Sequence, residues 1–163
     1  MNDKIFRNNL IELLKGGQAH LSLENAVKGI NLSDANIRPS GMQHSVWEVL
    51  EHITIAQQDI LQYTLDSTWQ SPAFPQGYWP PTTSKKETIT QAISQKDWLD
   101  SLSRFLADLD QVIRLTQNAS LDLTSEIPHG EGRTYLRQIL LVADHNSYHT
   151  AEIVHIRKVL GKW

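Results

Sequence analysis

At 163 residues, 40% of them hydrophobic and 20% charged, the chain has the length and balance of one folded domain with a real core. Its net charge is -3, and Lys and Arg are scattered, the densest runs being the pairs Lys85-Lys86 and Arg157-Lys158. This excludes the basic stripe of a nucleic-acid binder. There is no cysteine, which excludes disulfides, thiolate zinc sites and a cysteine nucleophile, so any transition metal must be held by nitrogen and oxygen.

Met1 to Leu10 mixes apolar and charged residues and lacks the apolar core of a signal peptide. The longest apolar run, Ile139 to Ala143, falls far short of the ~18 residues of a membrane helix. The expectation is a soluble, cytoplasmic protein that does not engage a membrane. A first helix is predicted from Asp3 to Lys15, with Ile5, Leu10, Leu13 and Leu14 apolar and a stop at Gly16-Gly17. Ser22 to Gly29 reads as a short extra helix.

A second long helix opens at Ser45-Val46-Trp47-Glu48, the capping-box pattern in which a serine hydroxyl and a glutamate three positions on satisfy exposed N–H groups. Val46, Val49, Leu50, Ile53, Ala56, Ile60 and Leu61 follow at helical spacing, fading near Ser67. The same capping pattern at Ser84-Lys85-Lys86-Glu87 predicts the start of a third helix. Its seam is Ile89, Ile93, Leu99, Leu102, Leu106, Leu109 and Ile113. The fourth is predicted from about Thr134 to Leu160, ended by Gly161.

Residues 68–83, with Pro72, Pro75, Pro80 and Pro81 among Trp69, Phe74, Tyr78 and Trp79, cannot be helical yet carry aromatics that pack down. So long a connection suits a crossover between parallel second and third helices, with a binding lid as the alternative.

Seven histidines are present, and position separates them. At about 100° per residue, His145 and His149 lie about 40° apart on the fourth helix, within the arc of Leu141, Val142, Glu152, Ile153 and Ile156. His52 shares the arc of Val49, Ile53, Ala56 and Ile60 on the second helix. A buried imidazole needs partners for both nitrogens or costs about 1–3 kcal/mol. A shared metal takes one nitrogen from each ring; three separately satisfied core histidines are the other reading. His20, His44, His129 and His155 read as structural, His129 on a turn before the fourth helix where it would rim a pocket and not bind metal.

The segments Ser45-Val46-Trp47-Glu48-Val49-Leu50-Glu51-His52-Ile53 and Asp144-His145-Asn146-Ser147-Tyr148-His149-Thr150-Ala151-Glu152-Ile153 resemble the DinB/YfiT-like superfamily of metal-binding four-helix bundles. Gly77-Tyr78-Trp79-Pro80 and Leu160-Gly161-Lys162-Trp163 add to the likeness, which spans essentially the whole chain as a single domain, 1–163. The resemblance implies an all-α, up-down-down-up four-helix bundle, frequently a homodimer. It also implies a divalent metal ion, often zinc or nickel, held by His52, His145 and His149. Its implied chemistry ranges from thiol-dependent transferases and isomerases to members with no known activity.

Three neutral imidazoles leave an ion's charge intact and a coordination position open, the pattern of catalytic sites. The expected functions are therefore a metal-dependent hydrolase acting on an ester or amide, or a transferase using a small thiol substrate. The alternative is a bundle whose metal is structural or sensory, or a stress-related interaction protein. Glu152 is the expected catalytic carboxylate, as general base, fourth ligand or partner of a histidine N–H. Asp59 reads as a histidine partner or a carboxylate paired to Lys or Arg. Tyr63 and Tyr148 read as hydroxyl donors or packing residues.

Overall fold

The computed structural model describes residues 2–81 and 93–163. Its elements are α1 (Asp3–Lys15), α2 (Leu23–Val27), α3 (Leu32–Ala35), α4 (Val46–Leu65), a 3-10 turn (Gln76–Tyr78), α5 (Gln95–Gln117) and α6 (Tyr135–Val159). Among the described residues there is no strand; Glu126 and Thr134 form an isolated bridge. The fold is all-α, as expected, and none of the described helices is long and apolar enough to cross a membrane.

The helix starts follow from local chemistry. Ser45 and Glu48 form the predicted reciprocal cap on α4, and Thr134 caps α6 through its side chain. Gly16 and Gly161 end α1 and α6 at φ +64° and +67°, the left-handed geometry that glycine enters without steric cost. The third long helix begins at Gln95, because a second capping box, Ser94 with Asp97, closes its end there with Ser94 extended. The pattern at Ser84–Glu87 and Ile89 lie outside the described residues.

Register on α5 also departs from expectation. Its buried stripe is Trp98, Ser101, Phe105, Asp108, Val112 and Thr116, while Leu102, Leu106 and Leu109 flank it and Leu99 is 52% exposed. The 3-4 spacing holds, and the buried face lies one position from the expected seam. Polar residues sit inside because α4 answers them: Thr54 meets the Ser101 hydroxyl at 3.2 Å, and the Gln57 amide donates to the Phe105 carbonyl at 2.7 Å. Asp108 is held above the usual carboxylate range by burial. On α1, Arg7 and Ile11 are buried and Ile5 and Leu13 exposed. Arg7 reaches the Thr116 and Leu121 carbonyls and so ties α1 to the end of α5.

Cross-helix pairs show direction. Trp47 with Trp98, Thr54 with Ser101 and Gln57 with Phe105 ascend together, so α4 and α5 run side by side in one sense. His52 with His149 and Gln57 with Asn146 run oppositely, so α6 is antiparallel to α4. Parallel neighbours require a connection that returns along the bundle. From Asp66 the chain does so: Trp69 and Tyr78 bond Asp59, and Tyr78 then reaches His52. The proline-rich segment thus lies back along α4 toward its N-terminus.

Apolar burial joins these parts in two clusters. One gathers Val46, Val49, Leu50, Ile53, Trp98, Phe105, Ile153 and Ile156 with α2; the other gathers Leu10, Leu14, Leu61, Val112, Ile139 and Val142. Each fully buried aliphatic side chain here contributes about 1.5–3 kcal/mol. The histidines stand on α4 and α6, whose backbones this packing holds at fixed separation.

Candidate metal centre

His52 projects from the middle of α4, and His145 and His149 from successive turns of α6. Their ring nitrogens meet: His52 Nε2 is 3.1 Å from His149 Nε2 and 3.2 Å from His145 Nε2. One ligand atom from each lies within 4.8 Å of the others. All three predicted ligands are therefore brought together, from two helices.

The outer nitrogens of His52 and His149 determine which edge of each of these rings looks inward. A carbonyl can only accept, so the Nδ1–H of His52 donates to the Tyr78 carbonyl at 2.7 Å. His149 Nδ1 is 2.8 Å from Glu152 Oε2. Burial works to raise the Glu152 carboxyl, but hydrogen bonds from His149 and His44 outweigh it and hold the group at about 2, so it is an ionised acceptor. His149 Nδ1 therefore carries the proton too. In their neutral forms both rings then turn Nε2 lone pairs at each other across 3.1 Å. That contact is repulsive unless something positive lies between them.

A proton is a poor fit to this place. Burial lowers His52, against the Tyr78 bond that raises it, and burial with the two neighbouring imidazoles lowers His145 to about 3. A divalent transition metal is the better fit, since it takes neutral imidazole nitrogen. Tetrahedral bonds of about 2.0–2.1 Å place ligand nitrogens about 3.3–3.4 Å apart, close to the two contacts observed.

Family evidence agrees with the geometry: a family model described as the DinB superfamily matches residues 18–153. The chain belongs to the DinB superfamily. Comparison with curated proteins and with solved structures found no match. In this DinB chain the matched region contains α4, the crossover segment, α5 and the part of α6 that bears His145 and His149.

Three residues that sequence reasoning left aside belong to the site. Trp79 is stacked between His52 (3.9 Å between ring centres, 5° between planes) and His44 (3.7 Å, 15°). His44 Nδ1 lies 3.5 Å from Glu152 Oε1, so Glu152 joins two histidines. Tyr78 supplies the carbonyl for His52. The aromatic density of Gly77-Tyr78-Trp79-Pro80 was the signal for Tyr78 and Trp79. For His44 there was none, since only the returning crossover carries Trp79 against it.

Other expectations need correction. Among the described residues Asp59 bonds neither a ligating histidine nor a Lys or Arg; it accepts from Trp69 Nε1 at 2.8 Å and from the Tyr78 hydroxyl at 2.6 Å. Tyr63 is away from the site, its hydroxyl accepting from Arg133. His129 donates through Nε2 to the Tyr63 carbonyl and so caps the last turn of α4. Tyr148 is 71% exposed and meets His149 edge-on, 4.9 Å between ring centres. It marks the solvent side of the centre.

The histidine shifts give the metal-free protein a distinct acid response. Unfolded, His145 protonates near pH 6.5; folded, only near 3. Below 6.5 the unfolded state binds a proton that the native state refuses, so stability is full above that pH and falls as pH drops. For His145 the expected loss between pH 8 and pH 5 is about 2 kcal/mol, with His52 adding in the same sense. Urea unfolding of metal-stripped protein at both pH values checks this, and a His145→Gln variant should lose most of the difference.

Proposed function

We propose that the protein is a metal-dependent enzyme in which His52, His145 and His149 hold one divalent ion, zinc or nickel by preference. The reaction proposed is hydrolysis of an ester or amide, or transfer of a group onto a small thiol. The observation that carries this reading is the pair of opposed Nε2 atoms, each aimed inward by an acceptor on its own Nδ1. Among the described residues no fourth His, Asp or Glu joins the cluster, which supports a position left for substrate.

A bound divalent ion supplies Lewis acidity, polarising a carbonyl oxygen and lowering the pKa of a water or thiol beside it. The chain's own residues do the rest. Neutral imidazoles leave the ion's charge undiminished. The Trp79 ring covers one face of His52 and keeps water from that side. With both oxygens engaged by imidazoles, Glu152 orients His149 and raises its basicity, which favours a positioning role over that of a general base. His44, partly exposed, lies against the other oxygen of Glu152 and helps to hold the carboxylate in place.

A second reading, a metal site without turnover, rests on a different observation. A cavity of about 30 Å³ lies on the opposite side of α6, among Leu14, His20, Phe105, Asn146 and Thr150, and does not open on the three histidines. The discriminating experiment is a panel of esters, amides and small thiols with electrophilic acceptors, run with zinc- or nickel-loaded protein. The enzyme reading predicts turnover that disappears on chelation and returns on reloading. Stoichiometric metal uptake with no turnover across the panel would favour the second reading.

A further inference from the structure

Asp59 and His52 lie two turns apart on α4, and Tyr78 spans the distance between them. Its hydroxyl donates to Asp59 Oδ2 at 2.6 Å, while its backbone carbonyl accepts the Nδ1–H of His52 at 2.7 Å. Asp59 is itself buried, and its other oxygen accepts from Trp69 Nε1 at 2.8 Å. The next residue, Trp79, stacks flat on the His52 ring. These contacts restrain His52 in two separate ways. Stacking holds the plane of the imidazole, and the carbonyl selects which edge turns inward, because a half-turn about Cβ–Cγ would exchange Nδ1 with a carbon. The Tyr78 hydroxyl stays a donor, since burial, reinforced by Asp59, raises it to about 12.

We infer that Asp59 is a positioning residue for the metal centre: acting through Tyr78, it holds His52 as the Nδ1–H tautomer with Nε2 directed at the ion. The inference rests on the metal reading for its consequence, although the tautomer it describes exists without metal. The crossover segment is in this account part of the site, and its anchor lies two turns of helix from the nearest ligand.

The test uses full-length ¹⁵N-labelled protein and the variants Tyr78→Phe and Asp59→Asn. In metal-free samples near pH 8, long-range ¹H–¹⁵N correlations read the His52 tautomer. The parent should show a single Nδ1–H form, and both variants a mixture with the Nε2–H form. Zinc titration should then give a Kd raised about 10-fold to 100-fold, the usual cost of losing an outer partner of a metal-bound histidine. Trp69→Phe leaves the Tyr78–Asp59 bond intact and should keep the parental tautomer, which separates positioning from general loosening of the segment. Should either principal variant fail to fold, the other carries the test.

Parental tautomer and zinc affinity in both principal variants, even with a lowered melting temperature, would overturn the inference and leave Asp59 a structural anchor. If the parent itself takes up no zinc, the metal reading has failed, and the tautomer comparison alone decides whether Asp59 positions His52.

Discussion

His149→Ala should abolish stoichiometric zinc or nickel uptake while leaving the bundle folded. The ring sits between His52 and Glu152, and no described His, Asp or Glu beyond the three stands ready to replace its nitrogen. Loss of one of three ligands leaves a two-nitrogen site, which holds a divalent ion far more weakly. Folding should survive because the side chain lies at the margin of the apolar clusters, whose members Ile153 and Ile156 face inward nearby. Equilibrium dialysis with metal analysis, paired with a thermal scan, checks both halves. Metal uptake equal to the parent's would refute the ligand assignment.

Glu48→Ala should be the most destabilising of the single changes considered, at about 3–5 kcal/mol. Glu48 and Arg38 are both buried and joined in a two-pronged ion pair: Arg38 Nε donates to Oε2 at 2.8 Å and Nη2 to Oε1. Glu48 also accepts the Ser45 backbone N–H at 2.8 Å to complete the α4 cap. Truncation removes the cap and takes the two-pronged carboxylate away from a buried guanidinium, and the second effect dominates. Because Glu48 stands one turn before His52 and the pair ties residues 36–45 to α4, the loss should also displace His44 from Trp79. Urea unfolding measures the first effect, and quenching of tryptophan fluorescence the second. A change below about 1 kcal/mol would mean that the Arg38–Glu48 pair contributes no more than an exposed ion pair.

The fold was legible wherever local chemistry and periodicity agreed. Ser45 and Glu48 announce α4, Thr134 and Gly161 bound α6, and the aliphatic ladder of α4 points inward as its spacing requires. It was misread where polar residues are buried by partners from a distant part of the chain. Ser101 lies on the inner face of α5 where Thr54 meets its hydroxyl, and no rule of periodicity assigns it there. α5 starts at Gln95 behind the Ser94–Asp97 cap, a pattern that the sequence reading does not use, while the one at Ser84–Glu87 lies outside the described residues. The four residues of α3 are too few for periodicity to show.

The candidate site divides in the same way. His145 and His149 share an arc of one helix, which is arithmetic on the sequence alone. His52 joins them only because α4 and α6 pack antiparallel at the matching level, a tertiary fact. Trp79, Tyr78 and His44 arrive through the path of the crossover segment, and their contacts are long-range by nature. Asp59 was noticed for its spacing from His52, but its partners come from residues 69 and 78, outside any helix-face argument.

Everything functional here depends on three imidazole nitrogens sharing one cation. X-ray absorption at the metal edge, on protein loaded with one equivalent of zinc, reads that arrangement directly. Three imidazole nitrogens are expected at about 2.0–2.1 Å, with one or more oxygen neighbours completing the shell. A shell of oxygens alone, or with a single imidazole, would contradict it.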